Sequence, residues 1–457
     1  MEFSISEINS VLGLINWNDS INNSLFFNRI TIDSREVSFG DLFVAIKGEK
    51  YNGHDFIQEA ISKGVSAAVV NEEYKDLVPK YCPYWIVPNT VVAYQDLALL
   101  KRRKLNIPVI GITGSVGKTT TKEISLEVLK NYGKVKVTEK NNNNEIGVGL
   151  TIHSCDENHK LLVIEMGMRG IGQIEELSRI AEPDIAVITN IGTSHIGLLG
   201  SRNNIAKAKC EITRFLNPSG IVIIPYGDNL LDQILKSYWK GRVLKVKINS
   251  IDDFSNSDTS KENIISGFYD KKRNIIKVDE KTFEISFRGF HNAINFLYVY
   301  AISRELNITF SKYNKFNFRS LDGRNKILRT KKLILMDESY NASPESLKAC
   351  IKVLFDYPGK HFLIFGSIRE LGDKSVHYHK DIIELINNSD INFCIFLCES
   401  DLEINLRNSC LISSKILFTN NKNSISFTIN KLTSKGDSLL IKGSRFWELE
   451  KIIPFID

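Results

Sequence analysis

Cysteine is scarce and scattered, with seven thiols at 82, 155, 210, 350, 394, 398 and 410 in 457 residues. An odd, unclustered set argues against a disulfide framework and for a reducing compartment. Cys394 and Cys398 lie in an apolar, strand-like run with no histidine nearby, which reads as core thiols rather than a zinc site. No apolar run approaches the ~20 residues that span a bilayer, and Met1-Glu2-Phe3-Ser4 lacks the basic-then-apolar layout of a signal peptide, so the expected location is the cytoplasm. Long basic runs are also missing: 59 basic and 53 acidic residues give a net charge of +6 spread along the chain. Nucleic-acid binding is therefore not expected, whereas a polyanionic small substrate is compatible. Proline (10) and methionine (4) are sparse and carry no functional inference. What remains, 43% hydrophobic and 25% charged residues, is an ordinary globular composition at a length that calls for two or three domains.

One stretch organises the rest. Gly111-Ile112-Thr113-Gly114-Ser115-Val116-Gly117-Lys118-Thr119-Thr120 lies between the apolar run Ile107 to Ile110 and a stretch to Tyr132 that places Ile124, Val128 and Leu129 at helical spacing. Strand, glycine-rich turn, helix is the context in which backbone N–H groups cradle phosphate. Gly114 and Gly117 permit the turn, Lys118 supplies a cation and the Thr119 hydroxyl can bind Mg²⁺. The spacing departs from the Walker formula, since Ile112 stands where its first glycine would be.

Upstream, residues 1–88 alternate short strand and helix signals, with Asp41 to Ile46, Ala67 to Val70 and Tyr84 to Val87 as strands. Asp55 is expected to cap a helix ending near Gly64. From 89 to 312, strands at 108–112, 134–138, 161–166, 184–190 and 221–224 alternate with helical stretches, which means βαβ units and a parallel sheet. Ligands of such sheets gather at the carboxyl ends of strands, and there the sequence puts Thr113 to Thr119, Glu165-Met166-Gly167 and Asn190 to His195. Short alternating runs between 242 and 288 predict an antiparallel side sheet. The remainder, 313–457, alternates again, as a second doubly wound unit, with Ser343-Pro344 opening a helix. Asn141 to Asn144, the one low-complexity patch, reads more readily as a loose loop than as a site.

Several motifs now fall in one order: the 113–120 turn, Asn143-Asn144-Glu145-Ile146-Gly147, Glu165-Met166-Gly167, Asn190 to His195, Ala206-Lys207-Ala208-Lys209, His291-Asn292-x-x-Asn295, Gly323-Arg324 and Asp337-Glu338-Ser339-Tyr340-Asn341. Together they resemble the Mur ligase family, ATP-dependent amide-forming enzymes of cell-wall precursor synthesis, over nearly the whole chain. Asp337 to Pro344, Glu370-Leu371-Gly372 and Lys442-Gly443-Ser444-Arg445 look most like the member that adds D-alanyl-D-alanine to a UDP-N-acetylmuramoyl tripeptide.

The resemblance implies three α/β domains: a small UDP-muropeptide-binding unit (1–88), a central parallel-sheet ATPase (89–312) and a Rossmann-like C-terminal unit (313–457) that closes over the nucleotide. It implies ATP, two Mg²⁺ ions and a monomer. Gly114, Ser115, Val116, Gly117, Lys118, Thr119 and Thr120 match the phosphate loop. Glu165, His195 and Lys209 match the second metal site, Lys209 as the lysine carboxylated by CO₂, because it stands fourteen residues after His195. Asn292 and Asn295 match the adenine-side asparagines, which read without the family as helix-cap or surface polar residues. Arg324, Asp337 and Glu338 match nucleotide contacts from the C-terminal side. Ser34 and Arg35, with Gly53-His54-Asp55, match the uridine-nucleotide signature, and Asn143, Asn144, Tyr340 and Asn341 complete the substrate set. Three departures stand out: Gly149 in place of a usual proline, Ser343 in place of an asparagine, and Ser367-Ile368 where aspartate and methionine are expected. The alternatives are another Mur-type ligase, adding an amino acid or making folylpolyglutamate, and a non-catalytic nucleotide or muropeptide binder. Glu338-Ser339-Tyr340-Asn341 argues against the tripeptide-making member, which would show Asp-Tyr-Ala-His.

Overall fold

The structure, a computed structural model, describes residues 2–16, 25–252 and 263–457. Among them, the two-residue strands Phe3–Ser4 and Phe26–Phe27 pair beside a four-stranded parallel sheet running from Ile30–Thr31 through Leu42–Val44 and Ala67–Asn71 to Tyr84–Val87. The helix expected to start at Asp55 starts differently. Asn52 accepts the His54 N–H and opens a 3₁₀ turn, Gly53–Phe56, that runs into the helix Ile57–Ser62, leaving Asp55 exposed inside the turn. The helix Thr90–Leu105 then serves two cores, with Ala93, Tyr94 and Leu97 facing the N-terminal sheet and Ala98 and Leu105 the central one.

The central sheet has ten strands. Val109–Thr113 lies between Ile185–Ile188 on one side and His159–Glu165, then Lys134–Val137, on the other, all parallel. Because the chain builds to one side of Val109–Thr113 and then to the other, the carboxyl end of this strand is the switch point where open α/β sheets hold ligands. The registers Ile112 with Glu165 and Thr113 with Ile188 bring three strand ends level.

The expected side sheet is instead a continuation of this one. Arg242–Ser250 and Ile264–Asp270 add in parallel, Ile275–Val278 and Lys281–Ile285 form the antiparallel part, and Tyr313–Phe316 closes the edge in parallel. The opening residues of the segment assigned to the C-terminal unit therefore belong to the central sheet. Strands half-covered on one face alternate whatever their direction, so alternation alone misreads Arg242–Ser250 as antiparallel. Phe283, Phe296, Phe310, Phe316 and Phe318 stack beneath this part against the helix Phe290–Glu305, whose burial on nearly every face marks a core helix.

The C-terminal sheet orders as Lys326–Arg329, Ile334–Glu338, Ser438–Lys442, His361–Gly366, Ile391–Leu397 and Ile416–Thr419, with only the first strand antiparallel. Ser343 caps Pro344–Leu354 through a reciprocal bond with Ser346, so the departure from asparagine keeps a good cap. All seven cysteines are free, and six are buried, including Cys394 and Cys398. Among the described residues no helix is long and apolar enough to cross a membrane.

Candidate active site

At Gly114 the backbone takes φ of 150°, and a β-carbon there would sit 1.8 Å from the Thr189 hydroxyl; only glycine fits. The turn is then braced by its neighbour strand's loop. Ser115 N–H donates to the Asn190 carbonyl, Val116 N–H to Asn190 Oδ1 (3.0 Å), and the Val116 carbonyl accepts from Thr189 Oγ1 (2.6 Å) and Asn190 Nδ2 (2.9 Å). Ser115 Oγ accepts the Gly192 N–H at 2.9 Å. Gly117 ends the turn at φ of 87°, and the helix Lys118–Val128 starts with no side-chain cap. Its first N–H groups and positive dipole end thus face the crevice, the arrangement that binds phosphate. Lys118 Nζ donates back to the Gly114 carbonyl at 2.7 Å.

Charged groups collect around this turn. Burial pushes the Lys118 ammonium down, Glu165 opposes that and Arg324 adds to it. Glu165 is buried at its strand end; Oε1 accepts from Asn143 Nδ2 at 2.9 Å, and Oε2 has no partner. Nδ1 of His195 meets Oε2 of Glu370 from the C-terminal unit, and burial lowers the imidazole pKa against the pull of that carboxylate. Lys209 is 2% exposed. Its pKa falls well below the usual lysine value, first through burial and then through Lys118, so its surroundings disfavour the charged form. Lys207, two residues earlier and on another face of the same helix, is exposed. Among the described residues no three His, Cys, Asp or Glu side chains converge as a metal cage.

The asparagine run is ordered rather than loose. Asn144 caps the helix Glu145–His153 through the Gly147 N–H, and Asn143 holds Glu165. In that helix Gly149 packs directly on Tyr94, where a β-carbon would lie 2.8 Å from the ring, so the usual proline has no room.

Asn292 and Asn295 are both buried, which corrects the helix-cap and surface reading. Asn295 Oδ1 abuts Gly117, and Asn292 donates to the Arg288 carbonyl and to Asn325 Oδ1, each at 2.8 Å, leaving its own Oδ1 unpartnered. Asn325, overlooked in the sequence because no motif flags it, links the units. Its N–H donates to Glu338 Oε1 at 2.9 Å, and its amide reaches Thr120 Oγ1 at 3.4 Å. Thr119, Thr120 and Glu123 face Arg319, Arg324 and Asn325 across a narrow cleft. A second cavity beside it is lined by Phe287, Arg288, His291, Asn325, Met336 and Glu338.

Arg324 lies over the Tyr340 ring at 4.1 Å, with Arg445 5.6 Å from the same ring centre. Asp337 and Glu338 part company. Asp337 spends Oδ2 on the Gly323 N–H and Oδ1 on the Ser339 N–H and hydroxyl. Glu338, its acid pKa raised by burial despite Lys442, faces the cavity. The Asn341 carbonyl accepts from Lys442 Nζ, and its side chain from the Ala342 N–H. Ser34 and Arg35 stay within the N-terminal unit. Ser34 Oγ reaches Glu59 at 3.4 Å, and exposed Arg35 pairs with Asp33 at 2.6 Å. His54 is spent structurally, between Asn52 Oδ1 and the Asn71 N–H and stacked on Tyr74 at 4.0 Å.

Comparison with known proteins accords with this geometry. The profile of the Mur ligase family catalytic domain matches residues 27–118, that of the Mur ligase middle domain 112–303, and that of the Mur ligase glutamate ligase domain 323–445. A UDP-N-acetylmuramoyl-tripeptide--D-alanyl-D-alanine ligase of Synechocystis sp. is 35% identical over 79% of this chain and 77% of its own length. The protein so named in Bacillus subtilis is 32% identical over 93% and 92%. Among solved structures, MurF from Acinetobacter baumannii superposes with a TM-score of 0.84 at 24% identity, covering 99% of this chain and 98% of its own. The MurF ligase from Thermotoga maritima in complex with ADP gives 0.78 at 28%, covering 93% and 96%.

Proposed function

Because the chain belongs to the Mur ligase family, we infer that it is an ATP-dependent ligase joining D-alanyl-D-alanine to a UDP-N-acetylmuramoyl tripeptide in peptidoglycan precursor synthesis. A carboxylate is a poor electrophile. Its oxygen attacks the γ-phosphorus of ATP, the β–γ bridge breaks and ADP leaves; the dipeptide amine then attacks the acyl carbon, the bond to phosphate breaks, and the nitrogen gives up a proton. Both anions must be brought together first. We assign that task to the uncapped N–H groups of the helix Lys118–Val128, to Lys118 and to Arg324, whose charges offset the repulsion.

The observation that carries the reading is the buried, uncompensated Lys209 beside the phosphate loop. A neutral amine is the form that adds CO₂, and a carbamate at its tip would turn two donors, Glu165 and His195, into three. The unpartnered Glu165 Oε2 fits the same purpose. Glu165, His195 and carboxylated Lys209 would hold one Mg²⁺ and the Thr119 hydroxyl another. The ions supply positive charge to the transferring phosphoryl group. We assign the purine base to the side of the cavity lined by Phe287, Arg288, His291 and Asn325, where Asn292 is bonded to Arg288 and Asn325. We assign Tyr340 and Asn341 to the acceptor side, and Ser34 and Arg35 to the uridine end. We take the three units as 1–88, a central unit of 89–312 extended by the strand Tyr313–Phe316, and the remainder to 457, in a cytoplasmic monomer.

The test is phosphate release by the purified protein with ATP, with the meso-diaminopimelate or the lysine tripeptide, and with or without D-alanyl-D-alanine, the product being weighed by mass spectrometry. Product mass equal to tripeptide plus dipeptide minus water is expected. Nucleotide binding without turnover on either tripeptide would replace the ligase by a non-catalytic binder.

A further inference from the structure

Two non-glycine residues in left-handed backbone, His195 (φ 65°) and Glu370 (φ 61°), meet across the junction of the central and C-terminal sheets. Oε2 of Glu370 is bonded to His195 Nδ1, while Oε1 of the same carboxylate lies 3.6 Å from Arg169 Nη2. The Glu370 carbonyl also accepts the Gly197 N–H at 2.9 Å. Behind this contact the two backbones touch with no side chain between them. A β-carbon on Gly197 would lie 2.5 Å from the Gly372 nitrogen and 2.8 Å from the Glu370 carbonyl. Arg169 follows the strand that ends in Glu165, and His195 follows Ile185–Ile188. One carboxylate of the C-terminal unit thus ties together the loops after both strands that carry the assigned metal donors.

As simple glue the arrangement is poor. His195 and Glu370 side chains are 28% and 34% exposed, a setting in which an ion pair returns little stability, and both backbones are held in a conformation that side chains disfavour. It is well suited to orienting an imidazole. A carboxylate on Nδ1 requires the proton there and leaves Nε2 as the free nitrogen, which is how histidine ligands of metals are commonly fixed. We propose that Glu370 is a positioning residue for His195: it sets the ring's tautomer and direction, and it does so only when the C-terminal unit is apposed, so that the donor set is completed by closure. The proposal rests on the assignment of His195 to the metal site.

The experiment uses the full chain with a non-hydrolysable ATP analogue and UDP-muropeptide, follows Mn²⁺ binding by electron paramagnetic resonance, and reads the His195 ring nitrogens by ¹⁵N NMR. Glu370→Ala is expected to weaken one Mn²⁺ site about ten- to a hundredfold, with nucleotide affinity within about twofold, and to shift the His195 ring nitrogens from the Nδ1–H pattern. Glu370→Gln, whose amide oxygen still accepts from Nδ1–H, should recover most of both. Gly197→Ala breaks the same contact from the other side and should reproduce the metal loss even if Glu370→Ala folds poorly. Unchanged ring shifts and Mn²⁺ titration in Glu370→Ala would overturn the positioning role. His195→Ala with wild-type Mn²⁺ binding would instead sink the metal assignment beneath it.

Discussion

At the end of Val109–Thr113 the chain turns through Gly114 into a helix whose first N–H groups have no side-chain cap. At the end of Ile334–Glu338 it turns through Ser339 and Tyr340, and there the acceptors are used up: Asp337 serves the Gly323 and Ser339 N–H groups and the Ser339 hydroxyl. Both turns carry charged residues, and both lie at carboxyl ends of parallel strands. The first is braced by Asn190 yet leaves the N–H groups at the start of its helix without a side-chain cap, while the second consumes its acceptors in holding its own loop in place. A charged residue near a nucleotide site is therefore assigned by what its polar atoms already bond, not by its charge.

Substitutions sharpen that contrast. Lys118→Ala should lower phosphate release at least about a thousandfold, since it removes the cation facing the transferred group, while the thermal midpoint stays near that of the wild type; near-normal turnover would end the phosphate-loop assignment. Lys209→Ala should cost about a hundredfold or more and regain part of the rate with added short-chain carboxylic acids, which can supply the missing oxygens. Loss and rescue in Lys207→Ala instead would move the role to that residue. In the second turn the damage should fall on stability. Asp337→Ala strands buried N–H groups and should cost about 2–3 kcal/mol in urea titration, with the KM for ATP changed less than in Arg324→Ala.

The smallest effect is expected far from both turns, at Lys101, which donates to the His153 carbonyl at 2.6 Å. Burial pushes its ammonium pKa down to about 8, against ~10.4 in an unfolded chain. Between those values the unfolded state holds the proton and the folded state does not, so stability rises with pH across that window and gains nothing from this group below it. Lys101→Met should flatten that rise in alkaline melts, without touching turnover at neutral pH.

Much of this was legible in the sequence. Alternating strands and helices predicted the parallel sheets, and the glycine spacing in 114–117 predicted the turn between the strand Val109–Thr113 and the helix Lys118–Val128, because both signals are local. The helix Glu145–His153 was missed: Ile146-Gly147-Val148-Gly149 is a weak helix former, and its helix is imposed by the Asn144 cap and by packing on Tyr94. The continuous ten-stranded sheet was missed because strand direction is set by distant partners. Glu370 stood in a recognised stretch, yet nothing in the chain announces its bond to a histidine 175 residues away. Asn325 carried no signal at all.

The strand Tyr313–Phe316 has a mechanical consequence. It is stitched to Lys281–Ile285, and Phe316 and Phe318 are sunk among the aromatic rings. On the far side, Arg324 is bridged to Leu321 and Gly323 is tied to Asp337. The free chain between the two bodies thus shrinks to a short tether around Arg319 to Leu321. So short a leash keeps Glu370 and Arg324 at a high effective concentration over the phosphate loop, making closure an intramolecular encounter. Lengthening the tether would leave each body folded and dilute one face relative to the other, at a cost that grows only with the logarithm of the added length, about 0.6 kcal/mol per doubling.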